Sequence, residues 1–237
     1  TSNDPVVENE PAFRLIKLID SIASLSKEDK VSFYYAPSGV CDSIISQYQQ
    51  VYLPNTPFWS YSRLRLEYNS SQLPVKAFKW SPSGSEHQYS EIFYDGNGRK
   101  IKHINYNDTY TYTYDHLGRL ARDTQFSSFG YWLSYRTYLY DSKDNVLEWK
   151  SFSTYSADSA FVRCTYDKAI NPLRKDWNLL FYDPRVLSRN NLTSMTYVNT
   201  SNAETVTYVY NALNLPVKAR IYNTNQAEPV IRTYIYQ

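Results

Sequence analysis

A tyrosine followed by a turn recurs along this chain and constrains its fold more than any other feature. The clearest copies are Tyr94–Arg99, which reads Tyr-Asp-Gly-Asn-Gly-Arg, and Tyr114–Leu120, which reads Tyr-Asp-His-Leu-Gly-Arg-Leu. Looser copies begin at Tyr140 and Tyr210. A unit that repeats in this way predicts a repeated supersecondary structure, although it does not name a reaction.

Each position of the unit has a physical role in ending one strand and starting the next. The tyrosine packs its ring at the strand end, where its hydroxyl can stay hydrated. The Asp or Asn that follows can hydrogen-bond to the backbone and begin the turn. A hairpin of this length then needs a left-handed residue four positions after the tyrosine. That position is occupied by Gly39, Gly98, Gly118, Asp144 and Asn214, and less typically by Gln72 after Tyr68.

The spacing of the units predicts hairpins rather than alternating strands and helices. Tyr94 and Tyr114 are 20 residues apart, and Tyr114, Tyr140 and Tyr166 follow at intervals of 26, which is room for two short strands and two connections. Residues 109–114 alternate threonine and tyrosine, as expected for a pleated strand. We therefore expect an all-β antiparallel meander of many hairpins, strongly curled or closed into a soluble barrel-like sheet.

The two ends of the chain carry different patterns. Residues 1–10 are polar and acidic and are predicted to form an extended tether. From Pro11, apolar residues recur every three or four positions, which predicts one N-terminal α-helix over residues 11–26. The remainder of a single β domain, residues 11–237, then consists of hairpin repeats over 31–166 and 192–237.

Residues 167–191 interrupt the hairpin pattern. This segment begins like another turn unit at Asp167 but runs into Pro172, and the following residues show no two-residue alternation. Its apolar residues argue against disorder, and a connection of this length in a compact domain is often functional. We expect it to fold over one mouth or face of the sheet, either as a structural plug or as a lid over a binding cleft.

Charge and hydropathy limit the partners of this chain. The formal net charge is +2 with no basic run, so no nucleic-acid footprint is present, and no apolar stretch is long enough for a transmembrane helix. Strands of an outer-membrane barrel need an apolar outward face. The alternating strands here carry mostly Tyr, Thr, Ser, Lys and Arg, which favours a soluble sheet over a membrane pore.

Candidate catalytic groups are sparse. The three histidines, His87, His103 and His116, lie in separate segments without a cysteine or carboxylate set that would complete a metal site. An oxidising compartment would allow Cys41 and Cys164 to pair, and the sequence leaves their separation open. No nucleophile, zinc-protease or phosphate-loop motif occurs. We therefore expect a protein that is not an enzyme and holds no cofactor or metal.

Exposed aromatic side chains are the remaining candidates for a ligand-binding site. They offer flat surfaces to a glycan or a protein partner, although the same residues can also pack the sheet. The candidates are Trp59, Tyr61, Trp80, Tyr131, Trp132, Trp149 and Trp177. The first hypothesis is a protein that binds a glycan or an envelope protein through these residues. The alternative is a structural scaffold that meets other subunits through edge strands or an open rim, and a glycan-active enzyme is a weaker third possibility.

Two protein groups resemble this chain. The Tyr-Asp-x-x-Gly-Arg-Leu sequence at residues 114–120 is similar to the tyrosine-aspartate repeats of bacterial Rhs proteins and teneurins, which build β-sheet shells. Over residues 30–237 the chain more closely resembles a family of uncharacterised exported lipoproteins from Bacteroidetes, described as a domain of unknown function with a porin-like fold. Residues 166–168, 171–173 and 187–191, with turn units on both sides, carry this resemblance.

The resemblance implies a fold and a compartment but no activity. It suggests an exported protein of the cell surface or periplasm, anchored to the outer membrane by a lipid on a cysteine upstream of residue 1. The polar stretch over residues 1–10 is similar to the tether that follows such a cysteine.

Overall fold

The computed structural model describes residues 14–22, 27–51, 57–80, 84–154, 156–176 and 183–237. These residues form sixteen strands and two short helices. The elements are β1 (Leu15–Ile22), β2 (Lys27–Tyr35), β3 (Cys41–Val51), β4 (Pro57–Tyr68), β5 (Pro74–Trp80), β6 (Glu86–Tyr94), β7 (Lys100–Asn105), β8 (Asp108–Tyr114), β9 (Leu120–Ser127), β10 (Trp132–Tyr140), β11 (Val146–Ser153), β12 (Ser156–Ile170), α1 (Leu173–Asp176), α2 (Pro184–Leu187), β13 (Asn190–Tyr197), β14 (Ala203–Tyr210), β15 (Pro216–Asn223) and β16 (Val230–Tyr236).

The strands close into an antiparallel barrel in sequence order. Each strand pairs with the next one, and β1 pairs with β16 to complete the ring. At this closure Leu18 lies opposite Tyr234 on one side and opposite Val31 on the other. The predicted all-β antiparallel meander is confirmed, and the sheet is closed rather than only curled.

The predicted N-terminal helix is wrong where the structure describes it. Residues Leu15–Ile22 form strand β1, while residues 11–13 and 23–26 lie outside the described part of the chain. A β-bulge between Leu15 and Lys17 explains the misleading pattern. Because the extra residue shifts the alternation, the buried Leu15 and Leu18 stand three positions apart, which imitates the spacing of a helix.

The tyrosine-turn units lie together at one mouth of the barrel, called the turn mouth here. Consecutive antiparallel strands place alternate connections at opposite ends, so every second connection reaches this mouth. The predicted left-handed residues all have positive φ, between 58° and 90°, and they include Gln72. The Asp or Asn after the tyrosine accepts hydrogen bonds from backbone amides two and four residues later, as Asp95 does from Asn97 and Arg99.

Most tyrosines at the turn mouth connect their own strand to the strand before it, whereas Tyr210 donates to Asp167. Tyr94 donates its hydroxyl hydrogen to the carbonyl oxygen of Pro74 at 2.7 Å, and Tyr114 donates to Lys100 at 2.6 Å. Equivalent bonds join Tyr35 to Leu15, Tyr68 to Cys41, Tyr166 to Val146 and Tyr236 to Pro216. These hydroxyls, expected to be hydrated, instead tie neighbouring turns together around the mouth.

The alternation of tyrosine and threonine separates the inside of the barrel from the outside. On β8, Tyr112 is buried and Tyr110 and Tyr114 pack around the same core cluster, whereas Thr113 is exposed. Large rings therefore fill the interior, and small hydroxyl-bearing side chains cover this part of the outer wall.

The irregular segment is a turn unit with a long insertion at its tip. In the ordinary turn, Asp141 accepts hydrogen bonds from the amides of Lys143 and Asn145 at 2.8 and 2.9 Å. In the expanded turn, Asp167 accepts from the amides of Ala169 and Asn191 at 2.9 and 3.2 Å. Asn191 thus stands where Asn145 stands, and the chain between Ala169 and Asn191 is added without changing the base of the turn.

The described part of this insertion packs inside the barrel. Leu173 of α1 and Val186 of α2 belong to a core cluster that also contains Leu15, Phe33 and Tyr234 of the wall, with further members Leu18, Cys41, Ile44, Val206 and Ala219. A barrel of sixteen strands is too wide for its own side chains to fill. The insertion supplies the missing volume, which is the arrangement expected of a plug. Residues 177–182, with their predicted buried apolar side chains, lie outside the described residues.

Candidate functional site

A row of aromatic side chains lies on the outer wall where β10 and β11 pair. Tyr135 is opposite Phe152 in the register, and their rings stack with centroids 4.6 Å apart and an interplanar angle of 21°. Trp132 extends the row, with its ring centroid 5.6 Å from that of Tyr135. We call Trp132, Tyr135 and Phe152 the aromatic face.

The pairing of strands explains why the aromatic face points outward. Arg136 and Tyr138 turn inward, where both reach Asp123, so the residues between and beside them on β10 face solvent. Rings on neighbouring strands at the same level come into contact because directly opposite residues are close in an antiparallel pair. The aromatic face is therefore a product of register rather than of neighbouring positions in the sequence.

Cationic side chains border the aromatic face. The Arg122 guanidinium carbon lies 4.0 Å from the centroid of the Tyr135 ring. Lys150 and Arg163 both approach the ring of Phe161, at 4.7 and 5.2 Å. Cations at these distances from aromatic rings are attracted by the ring quadrupole, so the rings hold the basic side chains along the wall.

Two of the predicted binding residues, Tyr131 and Trp132, belong to this region. Tyr131 is 73% exposed and Trp132 is 37% exposed, at the hairpin that joins β9 to β10. The structure places the ring of Trp132 against Tyr135, which stacks on Phe152. Sequence reasoning missed Tyr135 and Phe152. The only signal for the missed pair is the β10–β11 register, which the Tyr140 turn unit determines.

Tyr61 and Trp80 form a second outer region, separated from the first by strands β6 to β9. Tyr61 is 62% exposed. The indole nitrogen of Trp80 donates a hydrogen bond to Glu86 at 3.1 Å, and Arg63 lies over its ring at 5.8 Å. The aromatic face is the better candidate because its three rings contact one another.

Three predicted residues do not contribute to an outer site that the structure describes. Trp149 was expected to be exposed, and this is wrong, because it pairs with Tyr138 in the register and packs inside against two core clusters. Successive side chains of a strand point to opposite faces, so Trp149 points inward because its neighbour Lys150 points outward. Trp177 lies outside the described residues, and the side chain of Trp59, a residue of β4, also lies outside them.

Charged side chains of alternating sign cross the interior, and we call them the charge belt. Arg136 meets Asp123 at 3.1 Å, and Arg185 of the insertion meets Glu204 at 2.8 Å. Arg232 meets Asp20 at 2.7 Å across the barrel closure. In order around the wall and insertion, the belt contains Lys100, Asp123, Arg136, Asp183, Arg185, Glu204, Arg232 and Asp20.

The charge belt fixes the insertion rather than forming a binding site. Each of its basic side chains lies beside an acidic one, so most of its charge is compensated within the belt. Asp183 and Arg185 of the insertion form an ion pair with each other, and Arg185 also pairs with Glu204 of the barrel wall. A cavity of about 20 Å³ beside Arg185, Glu204 and Arg232 has room for one water molecule.

Two basic groups of the interior have lowered pKa values. Burial lowers the pKa of Lys100 to about 7, although the charge of Asp123 acts in the opposite direction. Burial, and then the positive charge of Lys100, lower the pKa of His103 to about 4. His103 is therefore neutral at physiological pH, and its Nε2 atom has no hydrogen-bond partner among the described residues.

The two cysteines are buried free thiols on strands β3 and β12. Six strands separate these two around the shorter side of the barrel, so Cys41 and Cys164 do not pair with each other. Burial raises the pKa of the Cys164 thiol to about 12. Within the described ranges, no group of three or more His, Cys, Asp or Glu side chains is arranged to hold a metal ion.

No helix among the described residues is long and apolar enough to cross a membrane. The sequence matches no protein-family model and no curated protein. Solved structures, in contrast, include several with a similar chain path.

The most informative similarity is to a porin-like protein from Bacteroides uniformis, with a TM-score of 0.63 and 13% sequence identity over 96% of this chain and 98% of that one. A porin-like protein from Bacteroides vulgatus has a TM-score of 0.43 and 10% identity, covering 94% of this chain and 98% of that one. The Photorhabdus luminescens Tc holotoxin pore has a TM-score of 0.38 and 12% identity, covering 86% of this chain and 12% of that one. At these identities the comparisons establish fold alone: this chain is similar in fold to the Bacteroides uniformis porin-like protein.

Proposed function

We propose that this protein is a non-enzymatic binding protein of the bacterial envelope that holds a glycan or protein partner on its aromatic face. The observation that carries this proposal is the outward stack of Trp132, Tyr135 and Phe152. Aromatic rings in partly exposed positions supply flat contact area with little conformational entropy to lose on binding.

The aromatic face contrasts with the outer side of strand β8. The outward residues of β8 are Thr109, Thr111 and Thr113. Their hydroxyl groups can hydrogen-bond to water, and they expose little apolar area. Two strands further on, aromatic rings occupy the equivalent side of the sheet. A contiguous row of partly exposed rings marks an interaction site more often than isolated exposed residues do.

The outer wall also supports a barrel that does not lie in lipid. Arg65 forms ion pairs with Glu67 and Glu86 at 2.9 Å on this wall, and Arg163 pairs with Glu148 at 3.0 Å. A basic side chain facing the middle of a bilayer costs about 2–4 kcal/mol. We therefore propose that the barrel lies outside the bilayer. The resemblance to exported lipoproteins, rather than the ion pairs, is the ground for proposing export, membership of that family and a lipidated cysteine upstream of residue 1.

The interior supports a role without catalysis. Asp123 and Glu204, two carboxylates of the described interior, are each held by an arginine, and the cavity beside Glu204 holds about one water molecule. A glycan-cleaving enzyme needs two carboxyl groups about 5–10 Å apart across a space that admits a sugar. The paired interior carboxylates are therefore better explained as structural groups.

Binding to a glycan array and capture of envelope proteins by the intact chain test this proposal. Trp132→Ala should weaken retention of the bound partner at least about fivefold, because an aromatic anchor of a binding site contributes about 1 kcal/mol or more. Trp80→Ala, which removes an equal ring from another part of the outer wall, is the matched control. Equal retention by wild type and Trp132→Ala, with unchanged thermal unfolding, would show that the aromatic face is not the binding site.

A scaffold role has one specific observation in its favour. Tyr106 and Phe129 lie almost fully exposed at hairpin tips of the mouth opposite the turn mouth. Because the barrel is closed, subunits would have to meet at this rim rather than at a free edge strand. Sedimentation of wild type against Phe129→Ser tests this alternative, since a rim-mediated assembly should dissociate in the variant.

A further inference from the structure

We infer that the aromatic face binds an acidic saccharide, one that carries carboxylate or sulfate groups, with an anionic group placed over Thr137 between Arg122 and Lys150. This inference rests on the proposed binding function and specifies the chemistry of its ligand.

The register places two cations on either side of one threonine. Thr137 of β10 lies opposite Arg122 of β9 and opposite Lys150 of β11. This row is directly beside the row that contains Tyr135 and Phe152. Neighbouring strands are about 4.8 Å apart, so the two basic residues start about 10 Å apart and both can reach a group above Thr137.

The positive charge of this row is not balanced by a carboxylate that the structure describes. Arg163, the third cation of the region, forms an ion pair with Glu148 at 3.0 Å. Arg122 donates from its Nε atom to the hydroxyl of Thr124 at 3.2 Å, and Lys150 lies over the Phe161 ring. The described surface therefore has two positive charges available to an anionic ligand.

The cations are also positioned before a ligand arrives. Arg122 rests on the Tyr135 ring and Lys150 on the Phe161 ring, at 4.0 and 4.7 Å from the ring centroids. Contacts of this kind restrict the long side chains, which reduces the ordering cost of binding. Aromatic rings and cations thus belong to one surface rather than to two independent ones.

The shape of the surface favours a saccharide over a protein. Its three rings form a row, and the outward residues of β8, two strands from β10, are threonines. A stable protein interface usually covers about 800 Å² on each partner around an apolar centre. A row of rings beside a row of cations instead matches an extended chain of sugar rings with acidic substituents.

The test measures binding of the intact chain to polygalacturonate, dextran sulfate and unmodified dextran at two salt concentrations. We expect both acidic polymers to bind at least about tenfold more tightly than dextran. Arg122→Gln/Lys150→Gln should weaken this binding about tenfold, since two exposed charge contacts are lost. The control Lys218→Gln/Arg220→Gln removes the same charge from the outer wall of β15, where Arg220 also lies beside a ring, and should change affinity less than twofold.

The outcomes separate this inference from the proposed function. Equal binding of dextran and the acidic polymers, lost in Trp132→Ala but kept in Arg122→Gln/Lys150→Gln, would overturn the acidic ligand and leave the binding face intact. Equal weakening by the two double variants would also overturn it, because it would indicate general attraction to polyanions. If the protein captures an envelope protein and binds no polysaccharide, the acidic saccharide is not its ligand, but the proposed binding function stands. If Trp132→Ala weakens the binding of no ligand, both the proposed function and the acidic-saccharide inference are wrong.

Discussion

The ordinary turn after Tyr140 and the expanded turn after Tyr166 have the same base and very different tips. In each, an aspartate accepts two backbone hydrogen bonds and one side-chain hydrogen bond from an asparagine, Asn145 or Asn191. The ordinary tip is a short exposed turn, whereas the expanded tip enters the barrel. The turn unit therefore determines how a strand ends, but it does not determine how long the tip of the turn is or where that tip lies.

The two turns are also in contact with each other. Asn145 donates a hydrogen bond to the side chain of Asn190 at 3.0 Å, and the Val146 amide donates to the Ser188 hydroxyl at 3.0 Å. The base of the insertion is therefore fastened to the neighbouring ordinary turn. Its far part is held by the charge belt and by apolar contacts.

The largest expected effect comes from making the expanded turn ordinary. Replacing residues 168–190 with Ser-Lys-Asp, the tip found between Asp141 and Asn145, should leave the strands in place but remove Leu173, Val186 and Leu187 from the interior. Their loss should lower the free energy of unfolding by about 5 kcal/mol, at about 1.5–3 kcal/mol for each buried side chain.

Thiol labelling and circular dichroism check this variant. With the interior open, the buried Cys41 and Cys164 should react with a thiol reagent under native conditions, while the β-sheet spectrum is retained. The control is removal of Asn225 and Gln226 from the β15–β16 hairpin, which shortens an exposed connection without opening the interior. Unreactive thiols in a folded replacement variant would contradict the role of the insertion as a plug.

The next largest effect compares the loss of stability on breaking the interior ion pair of the insertion with the loss on breaking an ion pair on the outer wall. Arg185→Ala should destabilise the protein by about 3 kcal/mol, because it leaves the buried carboxylate of Glu204 without its cation. Arg163→Ala, which breaks the exposed pair with Glu148, should cost less than about 1 kcal/mol. Chemical denaturation measures both, and equal losses would show that the charge belt does not hold the insertion.

A third prediction concerns pH and the filled interior. Because burial and Lys100 lower the pKa of His103 to about 4, the unfolded chain binds a proton at this residue between about pH 6.5 and pH 4 that the folded chain does not. His103 therefore makes folding less favourable as pH falls through that window, by about 2 kcal/mol between pH 7 and pH 5. His103→Gln should remove this part of the pH dependence in urea denaturation, whereas exposed His116→Gln should keep it.

The smallest expected difference lies in the aspartates of the two turns. Asp141→Ala should lower the free energy of unfolding by about 1–2 kcal/mol, through loss of its turn hydrogen bonds. Asp167→Ala should cost about 1 kcal/mol more, because Asp167 also accepts a hydrogen bond from the Tyr210 hydroxyl. Thermal unfolding of the two variants compares them, and an equal loss would mean that the expanded turn gains nothing from Tyr210.

The sequence supported the turns and strands more fully than the site. Gly98, Gly118, Asp144 and Asn214 have the expected left-handed conformation, because a tight hairpin allows few alternatives at that position. The β1 strand was missed because one bulge disguised its alternation. Among the binding candidates, Tyr131 and Trp132 lie on the outer wall, but Trp149 faces inward and Tyr135 and Phe152 were absent from the prediction.

Local chemistry in the sequence by itself determined where strands end and that they pair as hairpins, since these depend on residues close together in the chain. Only the tertiary structure decided that β1 meets β16, that the tyrosine face is the inside, and that the expanded turn lies within it. These features depend on contacts between distant residues and on the volume of a closed sixteen-stranded barrel. The aromatic face belongs to the second group, because its rings meet only when β10 and β11 pair in register.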